Sequence, residues 1–236
     1  MGKTQLRAVA VVVAAGEGKR AGAGVPKQFR LLLDRPVIAW TLDSFERSKL
    51  TNEVILVVPS GWTKKVRVDA IEKYGFKKVS VLVVGGQTRQ ESVHRGFEKI
   101  KEKECVVCVH DGVRPFATPE LIDRAIEAAN VFGASVTAIP AKDTIKYTTD
   151  DGFVWWTLDR ELMWAAQTPQ CFKYKLLEAA FESAKKDGFI ATDDASLVER
   201  MGEKIAIVQG EEENIKITSQ LDFVLAEAIA RRLSKR

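Results

Sequence analysis

The sequence predicts an α/β fold built on a mostly parallel sheet, and three observations carry the prediction. Short apolar runs alternate along the chain with segments whose apolar residues recur at helical spacing, which is the pattern of repeated β-α units. Residues 9–15 are apolar on both alternating faces, as is typical of a parallel strand buried on both sides. No linker, repeat or low-complexity tract interrupts the 236 residues. We therefore expect one layered domain, residues 1–236.

The predicted elements follow one another as apolar strands and amphipathic helices. Thr118 and Pro119 form a capping residue and a first-turn proline, which marks one helix start. The predicted strands cover residues 9–15, 53–58, 79–84, 105–110, 133–139, 204–208 and 215–218. The predicted helices cover residues 37–47, 63–74, 92–100, 119–132, 173–186, 193–201 and 219–232.

The alternation breaks at about residues 142–170, where we expect a protruding β-hairpin arm. Two extended runs, 144–149 and 153–157, flank a tight turn. The aromatic residues Phe153, Trp155 and Trp156 lie on both faces of the second run. An isolated hairpin is marginal in water and cannot bury these rings by itself. Two coverings stay open on periodicity alone, namely the core of the same chain and a second subunit.

Composition limits the class of protein and its partners. The formal net charge of +4 is mild and spread along the chain, so no nucleic-acid-binding face is indicated. No apolar run approaches the ~20 residues of a membrane span, and the first eight residues lack the apolar stretch of a signal peptide. We expect a cytoplasmic protein that binds an anionic small molecule and no membrane.

Three cysteines make an odd count, which argues against a disulfide scaffold. Cys105 and Cys108 form a C-x-x-C within a run typical of a buried strand. The chain has two histidines and no second cysteine pair, whereas a zinc site needs three or four ligands. We interpret both as buried strand residues, with metal or redox use as the alternative.

The loop after the first predicted strand predicts a phosphate site. Gly16 and Gly18 let the backbone turn sharply, so that its N–H groups point at an anion. Lys19, Arg20 and Lys27 place three cations around the same loop. This charge suits a triphosphate whose negative charge increases during reaction. The loop therefore indicates phosphoryl chemistry.

Three other interpretations of this loop are a P-loop, a dinucleotide-binding loop and a glycine turn without a ligand. The loop lacks the G-x-x-x-x-G-K-[ST] pattern of a P-loop. A dinucleotide-binding loop would have a third glycine at Ala21 and would use an acid near Asp34 for ribose, yet the next convincing strand begins only near residue 54. A glycine turn carrying solvated basic residues is the third interpretation.

Polar residues also follow two later strands, at the edge where open α/β sheets bind ligands. Gly85 and Gly86 open a helix after strand 79–84, and such glycines could admit a flat base against the backbone. Asp111 ends strand 105–110 and is a candidate Mg²⁺ ligand beside phosphates. The alternative is that Asp111 caps the turn and pairs with Arg114.

Taken together, these motifs resemble the 2-C-methyl-D-erythritol 4-phosphate cytidylyltransferase family. The matching segments recur in family order from residue 9 to 222 and are 14–20, 26–29, 85–93, 110–115, 157–160, 167–170, 192–196 and 214–218. The resemblance implies a Rossmann-like nucleotidyltransferase fold and a homodimer with interlocked arms. It also implies that CTP and 2-C-methyl-D-erythritol 4-phosphate react to a CDP-alcohol and pyrophosphate, with Mg²⁺ as cofactor.

The resemblance also implies roles for individual residues. The implied catalytic residues are Arg20, Lys27, Arg160 and Lys216. The implied nucleotide-binding residues are Ala14, Ala15, Gly16, Gly18, Lys19, Gly86, Gln87, Arg89, Ser92, Asp111 and Gly112. The implied residues for the second substrate are Asp111, Thr144, Arg160, Thr168, Thr192 and Lys216. Asp111 is the implied metal ligand.

Alternatives of three kinds stay open at this point. A ribitol 5-phosphate cytidylyltransferase shares the nucleotide loop, although residues 157–160 favour methylerythritol phosphate. A nucleotide-sensing module without turnover and an NAD-dependent oxidoreductase are the others. Some relatives place an Asp beside the metal near Asn214, where this chain has an acidic run at 211–213; a solvated acidic run is the simpler interpretation.

Overall fold

The computed structural model describes residues 6–16 and 24–234. Its strands are β1 Ala8–Val13, β2 Leu31–Leu32, β3 Arg35–Pro36, β4 Thr51–Val58, β5 Val79–Val84, β6 Val106–Asp111, β7 Ala134–Pro140, β8 Lys146–Thr148, β9 Val154–Thr157, β10 Trp164–Lys173 and β11 Ala206–Gln209. Its helices are α1 Val37–Arg47, α2 Thr63–Val66, α3 Arg89–Phe97, α4 Pro119–Phe132, α5 Tyr174–Asp187, α6 Ala195–Glu199 and α7 Gln220–Leu233, and α2 continues as a π-helical stretch, Arg67–Glu72.

The described residues form a central sheet of seven strands in the order β11-β7-β10-β6-β1-β4-β5. The pairs β6-β1, β1-β4, β4-β5 and β11-β7 are parallel, which confirms the predicted mostly parallel sheet. On β1, Val9 and Val11 pack into the apolar layer on one face of the sheet and Ala10 and Val12 into the layer on the other. Burial on both faces explains why this run does not alternate with polar residues.

Strand β10 was not predicted, although it lies near the middle of the sheet. It runs antiparallel to both β6 and β7. The run contains Gln167, Thr168, Pro169 and Gln170, a composition typical of a loop rather than a buried strand. The β7-β10 register shifts between Ala166 and Gln170, so the ladder does not need the N–H that Pro169 lacks.

Two other predicted elements differ from the structure. Residues 215–218 are not a strand, because Ile217 N to Val113 O at 2.9 Å is the single backbone hydrogen bond that ties this stretch to a neighbouring segment among the described residues. Helix α3 begins at Arg89 rather than at residue 92, since the Thr88 side chain already caps it by accepting a hydrogen bond from Glu91 N. The earlier start places Arg89 on the helix.

The cysteine and hairpin interpretations have different outcomes. Cys105 and Cys108 are buried, as predicted, and burial raises the pKa of the Cys105 thiol to about 12. Strands β8 and β9 pair antiparallel, which confirms the hairpin. However, Phe153 and Trp155 are each 71% exposed and Trp156 is 63% exposed. The described part of the chain therefore does not cover the hairpin rings.

Within the described ranges, every helix is too short or too polar to cross a membrane.

Candidate active site

The predicted site residues converge at the carboxyl edge of the sheet. The order β6-β1-β4-β5 brings the segment after β1, the segment after β5 and the end of β6 to one edge. Ligands of open α/β sheets bind at this edge. Three of the predicted residues, Gly18, Lys19 and Arg20, lie outside the described residues.

The segment after β1 is held from two sides. Ala14 N donates to Val57 O on β4 at 2.7 Å. From the other side, the buried Gln28 side chain donates through Nε2 to Ala14 O at 2.6 Å and to Gly16 O at 2.9 Å. Gln28 belongs to a single helical turn, Lys27–Phe29, so the same turn carries the predicted catalytic Lys27. Gln28 lies within the matching segment 26–29, but the sequence predicts no role for it.

Close backbone approach joins the β1 segment to the segment after β5. A Cβ atom added to Gly85 would lie 2.3 Å from Ala15 Cβ and 2.9 Å from Ser92 Oγ. Gly86 N donates to Ser92 Oγ at 3.0 Å, and the Ser92 hydroxyl donates to Thr88 O at 2.9 Å. Ala15, Gly86 and Ser92, three of the predicted nucleotide residues, thus meet in one place. Gly85 is required there because only glycine leaves room for Ala15.

We predict that Gly85→Ala raises the KM for CTP by tenfold or more, because the added methyl group must push the two segments apart. The measurement is steady-state kinetics at varied CTP, together with the melting temperature. Gly61→Ala is the matched control, since Gly61 has a φ of +78° and open space around it. Both variants should have a lower melting temperature, Gly61→Ala because of its positive φ and Gly85→Ala because of crowding, but only Gly85→Ala should change the KM for CTP. An unchanged KM for CTP in Gly85→Ala would contradict the prediction.

The end of β6 carries the ionic centre of the site. Asp111 accepts from Arg89 Nε at 3.0 Å and from Lys216 Nζ at 2.8 Å, and Arg114 Nε lies 3.6 Å from its second oxygen. Burial alone would raise the pKa of Asp111, but the charges of Arg89, Lys216 and Arg114 outweigh burial and hold it well below the usual range. Asp111 is therefore ionised. The alternative pairing with Arg114 is present, but it is one of three contacts.

Arg89 extends this ionic centre to a second buried carboxylate. Its Nη1 donates to Asp194 Oδ2 at 2.8 Å. Burial raises the pKa of Asp194, and Arg89 opposes that rise. Gln170 on β10 accepts through Oε1 from Asp194 N at 3.1 Å and so fixes the acid. In this arrangement Arg89 bridges two acids, and Lys216 and Arg114 provide the remaining positive charge around Asp111.

A neutral hydrogen-bond chain positions the backbone of Asp111. Asp111 N donates to Thr168 Oγ at 3.0 Å, so the Thr168 hydroxyl hydrogen is available to His110 Nδ1, also at 3.0 Å. The remaining ring proton is then on His110 Nε2, which donates to Arg114 O at 3.2 Å. Burial lowers the pKa of His110 to about 4, which keeps the ring neutral. Asn214 Nδ2 completes the chain by donating to Thr168 O at 2.8 Å.

The roles of His110, Asn214 and Gln170 were missed from sequence, because each acts on a residue far away in the chain. A signal was nevertheless present, since His110 is a polar residue near the end of an otherwise apolar buried run.

Gly112 is one of the predicted nucleotide-binding residues. A Cβ atom added to it would lie 2.9 Å from Ala14 Cβ. It therefore closes the contact between the ends of β6 and β1.

Other predicted residues are not joined to this centre. Thr144 and Thr192 are exposed, and Arg160 donates to Lys142 O at 3.3 Å. Among the described residues, no hydrogen bond or ion pair links these three side chains to Asp111. The acidic run 211–213 also pairs elsewhere, with Arg124, Lys142 and Arg232. Gln87 is a further predicted nucleotide-binding residue. Its backbone N donates to Glu91 Oε2 at 2.7 Å.

Asp34, the candidate ribose acid of the dinucleotide interpretation, lies in the tight turn between β2 and β3. It does not follow the strand next to β1, as a dinucleotide fold requires. A mostly parallel sheet whose ligand edge carries a glycine segment and a carboxylate ringed by cations instead fits a nucleotidyltransferase of Rossmann-like fold.

Comparison with known proteins identifies the family. Residues 8–232 match the family model of 2-C-methyl-D-erythritol 4-phosphate cytidylyltransferase, and the chain belongs to this family. A relative of that name from Geotalea uraniireducens is 43% identical over 231 residues, which cover 97% of this chain and 99% of the relative. Another, from Geobacter metallireducens, is 44% identical over 222 residues, which cover 93% and 95%.

Solved structures agree with the sequence relatives. The 4-diphosphocytidyl-2C-methyl-D-erythritol synthase of Anaerococcus prevotii superposes with a TM-score of 0.86 at 34% identity, covering 96% of this chain and 97% of that one. The 2-C-methyl-D-erythritol 4-phosphate cytidylyltransferase of Thermus thermophilus superposes with a TM-score of 0.75 at 35% identity, covering 94% and 98%. The predicted family, fold class and enzyme class are thereby confirmed.

Proposed function

We propose that this chain couples CTP to 2-C-methyl-D-erythritol 4-phosphate, giving 4-diphosphocytidyl-2-C-methyl-D-erythritol and pyrophosphate in non-mevalonate isoprenoid biosynthesis. Family membership over residues 8–232 supports both substrates. The observation in the structure that carries the proposal is the cluster of Arg89, Arg114 and Lys216 around Asp111. Gly112 next to Asp111 approaches Ala14, and the turn that carries Lys27 contacts Ala14 and Gly16 through Gln28.

The chemistry explains why the site is rich in cations. The substrate phosphate attacks the α-phosphorus of CTP, the new P–O bond forms and pyrophosphate leaves. A phosphate monoester is already ionised at neutral pH, so the enzyme needs positive charge on the crowded centre more than it needs a general base. The Lys216 side chain is 39% exposed although it contacts the buried Asp111, so Lys216 lies at the open side of the cluster. Lys216 and Lys27 are our proposed stabilising cations, together with Arg20.

We propose Mg²⁺ as cofactor, with Asp111 as its protein ligand. Mg²⁺ is commonly bound by one or two carboxylates plus substrate phosphates. The residues fit this type of site, because Asp111 is ionised and each of its oxygens keeps a lone pair beside its contact with Arg89 or Lys216. Within the described residues no three His, Cys, Asp or Glu side chains converge on a metal, so phosphate oxygens would complete the shell. When bound, the ion neutralises phosphate charge and orients the leaving pyrophosphate.

We also propose that the protein forms a homodimer through the hairpin arm. The support for a partner is the exposure of Tyr147, Phe153, Trp155 and Trp156 on one two-stranded hairpin, because such a cluster of rings is costly to leave in water. Thr144 and Arg160 belong to the same arm. An arm that packs on a second subunit would place these second-substrate residues near the site of that subunit.

We propose a cytoplasmic location for the protein. Its three buried free thiols fit a reducing compartment.

The arm proposal predicts that the double variant Trp155→Ser, Trp156→Ser is a monomer of about 26.2 kDa, because it loses two of the four exposed rings of the hairpin. The measurement is sedimentation equilibrium at micromolar protein. Val131→Ser is the matched control, since Val131 is 68% exposed but lies on α4, away from the arm. It should sediment as the wild-type dimer does. A wild-type protein that is already a monomer would overturn the proposal.

The function is tested by pyrophosphate release with Mg²⁺ and CTP, comparing 2-C-methyl-D-erythritol 4-phosphate with ribitol 5-phosphate. Fast release with the first substrate alone, lost in Lys27→Ala, supports the proposal. Preference for ribitol 5-phosphate would move the chain to that sister activity. CTP binding without release from either substrate would indicate the sensing module.

A further inference from the structure

We propose that Gln28 is a positioning residue that orients the backbone N–H of Ala15 for the nucleotide and couples this orientation to Lys27. This inference rests on the proposed nucleotide site. Gln28 is 1% exposed, and both hydrogens of its amide are used by backbone carbonyls of the β1 segment. The orientation of the amide is fixed by chemistry, because two carbonyl oxygens can be contacted only by its nitrogen.

The first step of the argument is the direction of one peptide group. In a trans peptide the C=O of one residue and the N–H of the next point in opposite directions. The Gln28 amide draws Ala14 O toward itself at 2.6 Å, so the N–H of Ala15 faces away from Gln28. The preceding peptide group is held as well, because Ala14 N donates to Val57 O at 2.7 Å, so Ala14 is held on both sides of its Cα.

The second step concerns what this N–H can bind. Among the described residues, none accepts a hydrogen bond from the backbone N–H of Ala15 or Gly16. Ala14 is buried, whereas Ala15 is half-buried and Gly16 is exposed, so both donors are at the open edge of the sheet. Oriented backbone donors of this kind suit a phosphate oxygen or a base carbonyl. Preorganising them before the nucleotide arrives avoids an ordering cost during binding.

The third step is the energetic cost of Gln28 itself. Its Oε1 is buried and finds no hydrogen-bond partner among the described residues. A buried polar atom without a partner destabilises the fold, and an apolar side chain of similar size would avoid that cost. Packing therefore does not explain a glutamine here, whereas control of the two carbonyls does.

The fourth step links Gln28 to the proposed chemistry. Gln28 and Lys27 share one helical turn that ends when Arg30 N donates to Lys27 O at 3.2 Å. The hydrogen bonds that hold the Gln28 side chain on Ala14 O and Gly16 O therefore also anchor the turn that carries Lys27. One residue thus fixes a backbone donor in the segment after β1 relative to the turn that carries a cation.

The test compares Gln28→Met, which keeps the side-chain length but has no donor, with the wild-type protein. We expect the KM for CTP and the calorimetric Kd for CTP each to rise about tenfold or more, with the KM for the second substrate unchanged. Gln28→Glu should be weaker still toward CTP at neutral pH, because a carboxylate would face two carbonyl oxygens. A purely structural role would instead lower the melting temperature of Gln28→Met and leave the KM for CTP as it was.

Asn52→Leu is the matched control. Asn52 Oδ1 accepts a hydrogen bond from Ala8 N at 2.9 Å. The variant therefore removes a hydrogen bond between a side-chain amide and the backbone at the start of β1, away from Ala14 and Ala15. It should leave both KM values unchanged. Lack of turnover in the wild-type protein would defeat the proposed function, whereas wild-type turnover with an unchanged KM for CTP in Gln28→Met would overturn only the role of Gln28.

A measurement on the wild-type protein covers the case in which the variants do not fold. The ¹⁵N amide resonances of Ala15 and Gly16 should move on addition of CTP, more than those of Ala8 and Ala10 on the same strand. Resonances of Ala15 and Gly16 that do not move would overturn the proposal.

Discussion

Asp111→Asn is expected to lower kcat/KM by about 10²–10³-fold, the loss that follows when a preorganised charge contact to the reacting group is removed. The variant leaves Arg89, Lys216 and Arg114 around a neutral amide, so the cations repel one another and their positions relax. Because Asp111 is our proposed Mg²⁺ ligand, we also expect the Mg²⁺ concentration that gives half the maximal rate to rise. The measurement is pyrophosphate release at varied Mg²⁺.

The same variant makes a prediction about stability and pH. Because the folded pKa of Asp111 lies below its ordinary value of 3.8, the carboxylate stabilises the fold above that pH and loses this contribution as the pH falls further. Asp111→Asn should therefore melt earlier than the wild-type protein at pH 7, and the difference should narrow below about pH 4.

Asp187→Asn is the control for Asp111→Asn. Asp187 forms an exposed ion pair with Arg200 at 2.6 Å, and exposed pairs contribute only about 0–1 kcal/mol. Kinetics and melting of this control should match the wild-type protein. If Asp111→Asn retained full activity at every Mg²⁺ concentration, the assignment of Asp111 to the reaction would be wrong.

Lys216→Met is expected to lower kcat by about 10²–10³-fold, because the ammonium group that contacts Asp111 Oδ2 at 2.8 Å is one of our proposed stabilising cations. The methionine keeps most of the apolar stem. Arg89 and Arg114 still neutralise Asp111, so the melting temperature should change little. Lys216→Arg should retain part of the activity, since it keeps the charge but replaces a compact ammonium with a planar fork.

Lys103→Met is the control for Lys216→Met. Lys103 Nζ contacts Glu178 Oε1 at 3.0 Å on an exposed surface, so the variant removes the same type of ion pair away from the sheet edge. Its kcat should be unchanged. A large loss of stability in Lys216→Met, with a kcat near the wild-type value, would assign Lys216 a structural role only.

The strands, the helices and the nucleotide edge could be predicted in large part, because their signals are local. Val9, Val11 and Val12 form an apolar run without alternation, and such a run is buried on both faces wherever it occurs. The family resemblance implies that Asp111 and Lys216 belong to one site, and the two side chains are in contact. The role of Gln28 was not predictable, since it depends on a side chain reaching Ala14, fourteen positions earlier in the chain.

The sequence by itself determined the order of strands and helices, the glycine segment after β1, the hairpin and the family, since periodicity and motif spacing are properties of neighbouring residues. Only the tertiary structure decided that β10 enters the sheet antiparallel between β6 and β7. That insertion brings Thr168 to Asp111 N, 57 positions away, and α3 brings Arg89 to Asp194, 105 positions away. The physical reason is that a buried polar group takes whichever partner the packed chain brings within reach, and no local pattern encodes that choice.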